Sequence, residues 1–419
     1  MSTFTIIEED EKKASTGNNT DDIAVLPFEG PEKTLEIDFV PTLGHKDGLR
    51  ALPLAAWEDI VSHAKAQILD HEKNEHFDSY LLSESSLFVY KHKVLLKTCG
   101  TTTLLGCVPP LVEYTKKIHL EFEWIGYTRK NFSFPQYQIY PHENFNQEVN
   151  FLKEKCNFDG EAYILGPLSG DHWFIYVWDN CDRPMAESQD RTLNIMMYDL
   201  DEEATKIFWK SNGKNDKEKK NVDDENNNNK NCCDSTDINM NNVNNNNNNN
   251  NNNRKKKLSI SQLWELLPGA KVHDFLFDPC GYSLNGLLFD AYVTIHVTPE
   301  DSFSYASFET NVRTESYVTL VKSVISFFKP KRFSMTFFTD EGALLAGTAI
   351  PTDLISIEVD KKKGEVWNRT NKCQTSFAAD YHCMMANYAA ASNNSPRSLI
   401  NIQITTNNNS ESEKKEEYA

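Results

Sequence analysis

Residues 211–257, "SNGKNDKEKKNVDDENNNNKNCCDSTDINMNNVNNNNNNNNNNRKKK", are asparagine-rich, charged and nearly free of apolar side chains. A segment of that composition cannot bury enough surface to offset the entropy of ordering it. It is expected to be a disordered insertion in a surface loop, so the fold must be assembled from the chain on either side of it as one interrupted body. Residues 1–21 and 403–419 read the same way. That leaves 22–402 as a single folded domain, and with 39% hydrophobic and 11% aromatic residues in 419 it has the means for a real core.

Outside the insertion the chain alternates strands and helices. "LPLAAWEDIVSHAKAQILDHE" (52–72) spaces Leu54, Trp57, Val61, Ala64 and Ile68 at threes and fours, which predicts an amphipathic helix. Tyr317, Leu320, Val321, Val324 and Phe328 predict another. "LFVYKHKVLLKTCG" turns on Lys-His-Lys and "EAYILGPLSGDHWFIYVW" (161–178) on Ser-Gly-Asp, two hairpins. Further strands are expected at "LEIDFV", "LFDAYVTIHVTP", "FSYASFETN" and "RFSMTFF". Hairpins with helices between them point to antiparallel α+β layers, not to a doubly wound parallel sheet.

The chain carries 43 Lys and Arg against 61 Asp and Glu, a formal charge of −18. That argues against a nucleic-acid surface and suits a small cationic ligand. "MSTFTIIEEDEKK" has neither a basic n-region nor an apolar h-region, and no run is long enough to span a bilayer, so a cytoplasmic protein without a membrane partner is expected. The nine cysteines are odd in number and lack paired spacing, so neither a metal site nor a disulfide framework is expected.

"YLLSESSLF" (80–88) is the unusual stretch: three serines and a glutamate lie in four positions at what reads as the start of a strand. The ordinary reading of Ser85 is a polar residue at a strand edge. The chemical reading is a constrained serine whose hydroxyl attacks the preceding carbonyl, that of Glu84. An N-to-O acyl shift followed by β-elimination would then cut the chain and leave a ketone at the new terminus.

"LLSESSLFVYKHKVLLKTCGTT" (81–102), "FEGPEK" (28–33), "FDPCGYSLNG" (277–286) and "TIHVTPEDSFSYASFETN" (294–311), with "YTRKNFSFP" and "YPHENFNQEV" (127–149) between them, resemble the eukaryotic S-adenosylmethionine decarboxylase family. The resemblance covers nearly the whole chain outside the insertion and the tails. It implies a four-layer αββα sandwich of two antiparallel sheets flanked by helices. It implies cleavage between Glu84 and Ser85 into a 1–84 β chain and an 85–419 α chain headed by a pyruvoyl group made from Ser85, with no metal. That group would form a Schiff base with S-adenosylmethionine and release carbon dioxide, giving the aminopropyl donor of spermidine and spermine synthesis.

The same resemblance assigns roles. Ser283 and His296 assist processing, by stabilising an oxyanion and by taking the serine Cα proton. Cys99 is the proton donor to the substrate after decarboxylation. Glu29 and Glu32 are active-site carboxylates facing a cationic substrate, Phe28 and Phe277 sandwich the adenine, Glu300 takes the ribose hydroxyls, and the Leu82 backbone lines the pocket. Putrescine is a possible activator at Lys97, Asp190, Thr192 and Glu309, although Asn194 stands where an acid is expected, which weakens attraction for a dication. A homodimer of processed units is a further possible partner. Two alternatives stay open at this point, a catalytically inactive regulatory homologue and a hydrolase built on a Cys99–His296 pair.

Overall fold

The computed structural model describes residues 28–41, 44–180, 189–210, 258–314, 316–360, 362–377 and 381–391. The expected tails and the insertion lie outside these residues. Among the described residues two sheets form. The first contains β1 (Lys33–Phe39), β2 (Ile68–Lys73), β3 (Phe77–Leu82), β4 (Ser85–Tyr90), β5 (Lys93–Thr98), β6 (Phe122–Lys130), β7 (Glu161–Leu165) and β8 (Trp173–Asp179) in the order β2-β3-β4-β5-β1-β6-β8-β7. The second contains β9 (Arg191–Tyr198), β10 (Lys271–Leu276), β11 (Tyr282–Leu288), β12 (Ala291–Thr298), β13 (Tyr305–Thr310), β14 (Arg332–Asp340), β15 (Ser356–Asp360), β16 (Glu365–Ser376) and β17 (Tyr381–Ala390) in the order β10-β11-β12-β13-β9-β14-β17-β16-β15.

Every neighbouring pair is antiparallel, as hairpin-rich sequence requires. Both sheets follow one plan: the first strand sits inside, a four-strand meander lies on one side, and the strand after the next helix pairs on the other side, followed by the remaining strands.

Helices Leu54–Ser62 and Val108–Lys117 cover the outer face of the first sheet, burying Trp57, Ile60, Val61 and Leu111 with Leu35, Ile37, Leu87 and Leu96. Helix Val318–Phe328 covers the second, with Val321, Val324, Ile325 and Phe328 against Ile195, Ile295, Phe308 and Met335. Between the sheets lie two aromatic clusters, one around Trp124, Trp173, Tyr198, Tyr305 and Tyr381, the other around Phe77, Phe88 and Tyr292. The layering is αββα.

The helix expected over 52–72 is corrected: it ends at Ser62, Lys65 takes a left-handed turn at φ +60°, and Ile68 opens the edge strand β2. Ile68 still packs on the core that Trp57 and Val61 fill, so the spacing is obeyed by two elements instead of one. The available edge of β3 decides the outcome. "YLLSESSLF" is likewise not the start of one strand but the tip of the β3–β4 hairpin, with Leu82 opposite Ser85 and Ser83-Glu84 as the turn. The other hairpins and the helix over 318–328 form where the pattern predicts them.

Candidate active site

The β3–β4 turn is pinned on its outer side. Ser83 N donates to Gln67 O at 2.8 Å, and Gln67 N donates back to Ser83 Oγ at 3.0 Å. With the turn fixed, Ser85 adopts φ +134°, a region that nearly all side chains avoid, at a strain of about 1–3 kcal/mol. The strained residue is the one whose preceding peptide bond the sequence marks for cleavage.

The hydroxyl of Ser85 points across the sandwich to the second sheet, 3.1 Å from His296 Nε2. His296 is opposite Ser283 in the β11–β12 register, and Ser283 Oγ lies 2.9 Å from Nδ1. Alternation along a strand puts Thr294 on the same face as His296, and Asn285 on the same face as Ser283. Thr294 Oγ1 is 2.8 Å from Nε2, and Ser86 Oγ, from the first sheet, is 3.1 Å from it. Burial, reinforced by the nearby Lys97 ammonium, holds the imidazole down to about 3, so it is neutral at physiological pH and can accept a proton.

The Glu84 carbonyl takes both its hydrogen bonds from Cys99, which follows β5: the amide at 3.0 Å and the thiol at 3.3 Å. Two donors on one carbonyl oxygen are what a developing oxyanion needs. Sequence reasoning gave that task to Ser283, but Ser283 holds the imidazole instead. Burial, then the neighbouring Glu84 and Glu32 carboxylates, keep the Cys99 thiol well above its ordinary range, so it is a protonated donor. Burial also pushes the Glu84 carboxyl up to about 7. Gly100, at φ +63°, has no room for a side chain, since a Cβ would stand 2.9 Å from the Phe28 ring.

Of the expected substrate-facing residues, Phe28, Glu29, Glu32 and Leu82 adjoin this point. Glu29 is buried and accepts from the Ser133 and Phe134 amides at 3.0 and 2.7 Å, while its carbonyl binds Gly100 N. Burial raises its carboxyl above the ordinary value despite those bonds. Glu32 reaches the other sheet, accepting from Tyr305 OH at 2.8 Å and from Ser307 Oγ. Phe28 is half-buried against Gly100, Leu82 is buried at the end of β3, and Phe277 stands edge-on to Phe275 at 4.9 Å beyond β10. Glu300, half-buried, lies beside the Cys280 thiol, which burial and this carboxylate together push up to about 12. Lys33, which sequence reasoning passed over, is fully buried, donates to Gly100 O at 3.0 Å, and is held down to about 8 by burial. Ser86, Asn285, Thr294, Tyr305 and Ser307 were also missed; all but Tyr305 lie two residues from an identified one, and that periodicity was the available signal.

The Cys99–His296 pair of a hydrolase is not formed. Both imidazole nitrogens face hydroxyls, and Cys99 faces the Glu84 carbonyl.

The second acidic group lies deeper between the sheets. Thr192, Asn194 and Glu309 line a small cavity with Glu36, Trp124 and Tyr381. Glu309 is already engaged by Lys97 Nζ at 2.5 Å, by Tyr292 OH at 2.9 Å and by Asn194 Nδ2. Asp190 takes Lys93 Nζ at 2.8 Å and Tyr381 OH at 2.6 Å, and Lys93 also binds Glu36 at 2.5 Å.

The family model described as adenosylmethionine decarboxylase matches residues 26–389. S-adenosylmethionine decarboxylase proenzymes from Dictyostelium discoideum and Leishmania donovani are 36% and 35% identical, each over 86% of this chain and 85% of the relative. The Drosophila melanogaster proenzyme is 34% identical over 86% of this chain and 95% of its own length. The crystal structure of the Trypanosoma brucei AdoMetDC-delta26 monomer aligns with a TM-score of 0.47 at 25% identity, covering 73% of this chain and 99% of that one. The chain belongs to the adenosylmethionine decarboxylase family. Its relatives are enzymes made as precursors, and the inactive-homologue alternative has no support. Among the described residues no helix is long and apolar enough to cross a membrane.

Proposed function

We propose that this chain is a self-processing, pyruvoyl-dependent S-adenosylmethionine decarboxylase. The observation that carries the reading is the meeting of a strained Ser85 hydroxyl with His296 Nε2 at 3.1 Å, beside a Glu84 carbonyl that holds both Cys99 donors. Ser85 Oγ adds to the Glu84 carbonyl and gives its proton to His296, while the Cys99 amide and thiol take the charge on oxygen. The Glu84–Ser85 C–N bond breaks, the nitrogen takes the proton back, and an ester remains. His296 then removes the Ser85 Cα proton and the Glu84 carboxylate leaves, giving dehydroalanine. Tautomerisation and hydrolysis consume water, release ammonia and leave the pyruvoyl group.

Once formed, that group supplies a carbonyl that condenses with an amine and draws in the electrons of its carboxylate bond. Glu29 and Glu32 supply negative charge for the cationic substrate, Phe28 and Phe277 the apolar walls for adenine, Leu82 a backbone contact, and Glu300 the acceptors for ribose. Cys99, protonated at neutral pH, hands its proton to the substrate carbon. Putrescine is dispensable in this reading, because the carboxylates of Asp190 and Glu309 are satisfied by Lys93 and Lys97.

Denaturing gels and intact mass test the proposal. Two fragments divided at 84/85, the larger blocked by a ketone and labelled by borohydride in the presence of S-adenosylmethionine, are expected. A persistent 48.0 kDa chain, or a large fragment with a free amino terminus, overturns it.

A further inference from the structure

Two neighbouring serines, Ser85 and Ser86, stand at the same 3.1 Å from His296 Nε2. Distance therefore cannot choose which hydroxyl the imidazole deprotonates. The hydrogen bonds behind Ser86 can. Asn285 Nδ2 donates to the Tyr80 carbonyl at 3.1 Å, which fixes the amide so that its oxygen faces Ser86. Asn285 Oδ1 is an acceptor only, and it lies 2.6 Å from Ser86 Oγ. The Ser86 hydrogen is thereby directed away from the imidazole. Its oxygen is left as an acceptor, 3.0 Å from Thr294 Oγ1, so the third hydroxyl beside Nε2 also has somewhere other than the imidazole to send its hydrogen. Ser86, Asn285 and Thr294 are all buried, so water cannot take over these roles.

We infer that Asn285 is a positioning residue for self-processing: anchored on the Tyr80 carbonyl, it withdraws the Ser86 hydrogen and leaves Ser85 as the serine that can donate to His296. The inference rests on the processing reading above and extends it to the choice between adjacent hydroxyls. It also accounts for three clustered serines yielding one cut, since Ser83 is turned outward to Gln67.

A double-mutant cycle tests it, with first-order cleavage of the full-length precursor followed on denaturing gels. Asn285→Ala is expected to slow cleavage at least tenfold when Ser86 is present. In a Ser86→Ala background the same substitution is expected to change the rate less than twofold, because the hydroxyl it acts on is gone. Asn285→Asp, which keeps the acceptor, is expected to cleave at least tenfold faster than Asn285→Ala. Equal losses with and without the Ser86 hydroxyl would mean that Asn285 only holds Tyr80 and β3 in place, and would overturn the inference. So would unaltered cleavage in Asn285→Ala. If Asn285→Ala gives no soluble chain, Asn285→Asp carries the test: tenfold slowing against the unsubstituted chain overturns the inference, and a rate within threefold of it supports it. An unsubstituted chain that never cleaves refutes the processing reading itself, a result distinct from any of these.

Discussion

In the proposed processing reaction Glu84 contributes its carbonyl, and its side chain is expected to set the pH at which that carbonyl reacts well. The buried carboxyl titrates near 7 instead of near 4.5. Below pH 7 it is neutral; above, it places a negative charge beside the oxygen on which negative charge must build. Cleavage is therefore expected to slow as pH rises through about 7, and Glu84→Gln to flatten the profile. An imidazole of ordinary pKa would impose the opposite sign, a rate rising through about 6.5, but His296 is held near 3 and stays neutral throughout. Stopped-time gels between pH 5.5 and 8.5 separate the two, and a rising profile would remove His296 as the neutral base. Cys99→Ala deletes the thiol donor but keeps the amide on the same oxygen, so cleavage is expected to slow by roughly 10²-fold, as for loss of one oxyanion donor. Unchanged cleavage would limit the thiol to the later protonation. The residues that meet at the β3–β4 turn were legible from motifs because the proposed chemistry demands particular side chains. The Asn285–Ser86 relay was not, because an amide and a hydroxyl on neighbouring strands have meaning only once the two sheets face each other.

At the scale of strands, the inter-sheet acids are governed by what stands opposite them. Asn194 on β9 is directly opposite Glu309 on β13, and its amide donates to the carboxylate that Lys97 also binds. Asn194→Glu would place two carboxylates directly opposite each other with one lysine, Lys97, beside them. That variant is expected to melt at least about 2 °C lower and to regain part of the loss in millimolar putrescine, while the unsubstituted chain shifts by less than about 1 °C. Thermal scans with and without the diamine decide it. A large putrescine shift in the unsubstituted chain would show that its cavity still wants a dication. Strands and hairpins were readable from alternation and turn residues because both signals are local. The end of the helix at Ser62 was not, because an amphipathic stripe continues smoothly into an edge strand that packs on the same core. The doubling of the topology was hidden for a similar reason: the order of strands is set by long-range pairing, which local patterns do not report.

For the molecule as a whole, the proposed cut at 84/85 does not divide two bodies. The 1–84 segment contributes β1, which lies in the interior of the first sheet between β5 and β6, together with the β2–β3 edge and the helix Leu54–Ser62. Its departure would open the centre of that sheet and strip the core beneath Trp57 and Leu35. The segment is also tied to the second sheet by side chains from beyond residue 84. Asn285 binds Tyr80 O, His273 lies 2.9 Å from Ser79 Oγ and 3.1 Å from Asp70, and Glu32 takes Tyr305 and Ser307. Dissociation therefore requires unfolding, so processed fragments are expected to co-elute on gel filtration, to share one particle in native mass spectra whether or not that particle dimerises, and to melt in a single transition. Removing one tie with His273→Ala should lower the melting temperature without releasing the small fragment, because the interior position of β1 is untouched. Free 1–84 fragment in the native mass spectrum of cleaved, undenatured protein would contradict the strand order on which this expectation stands.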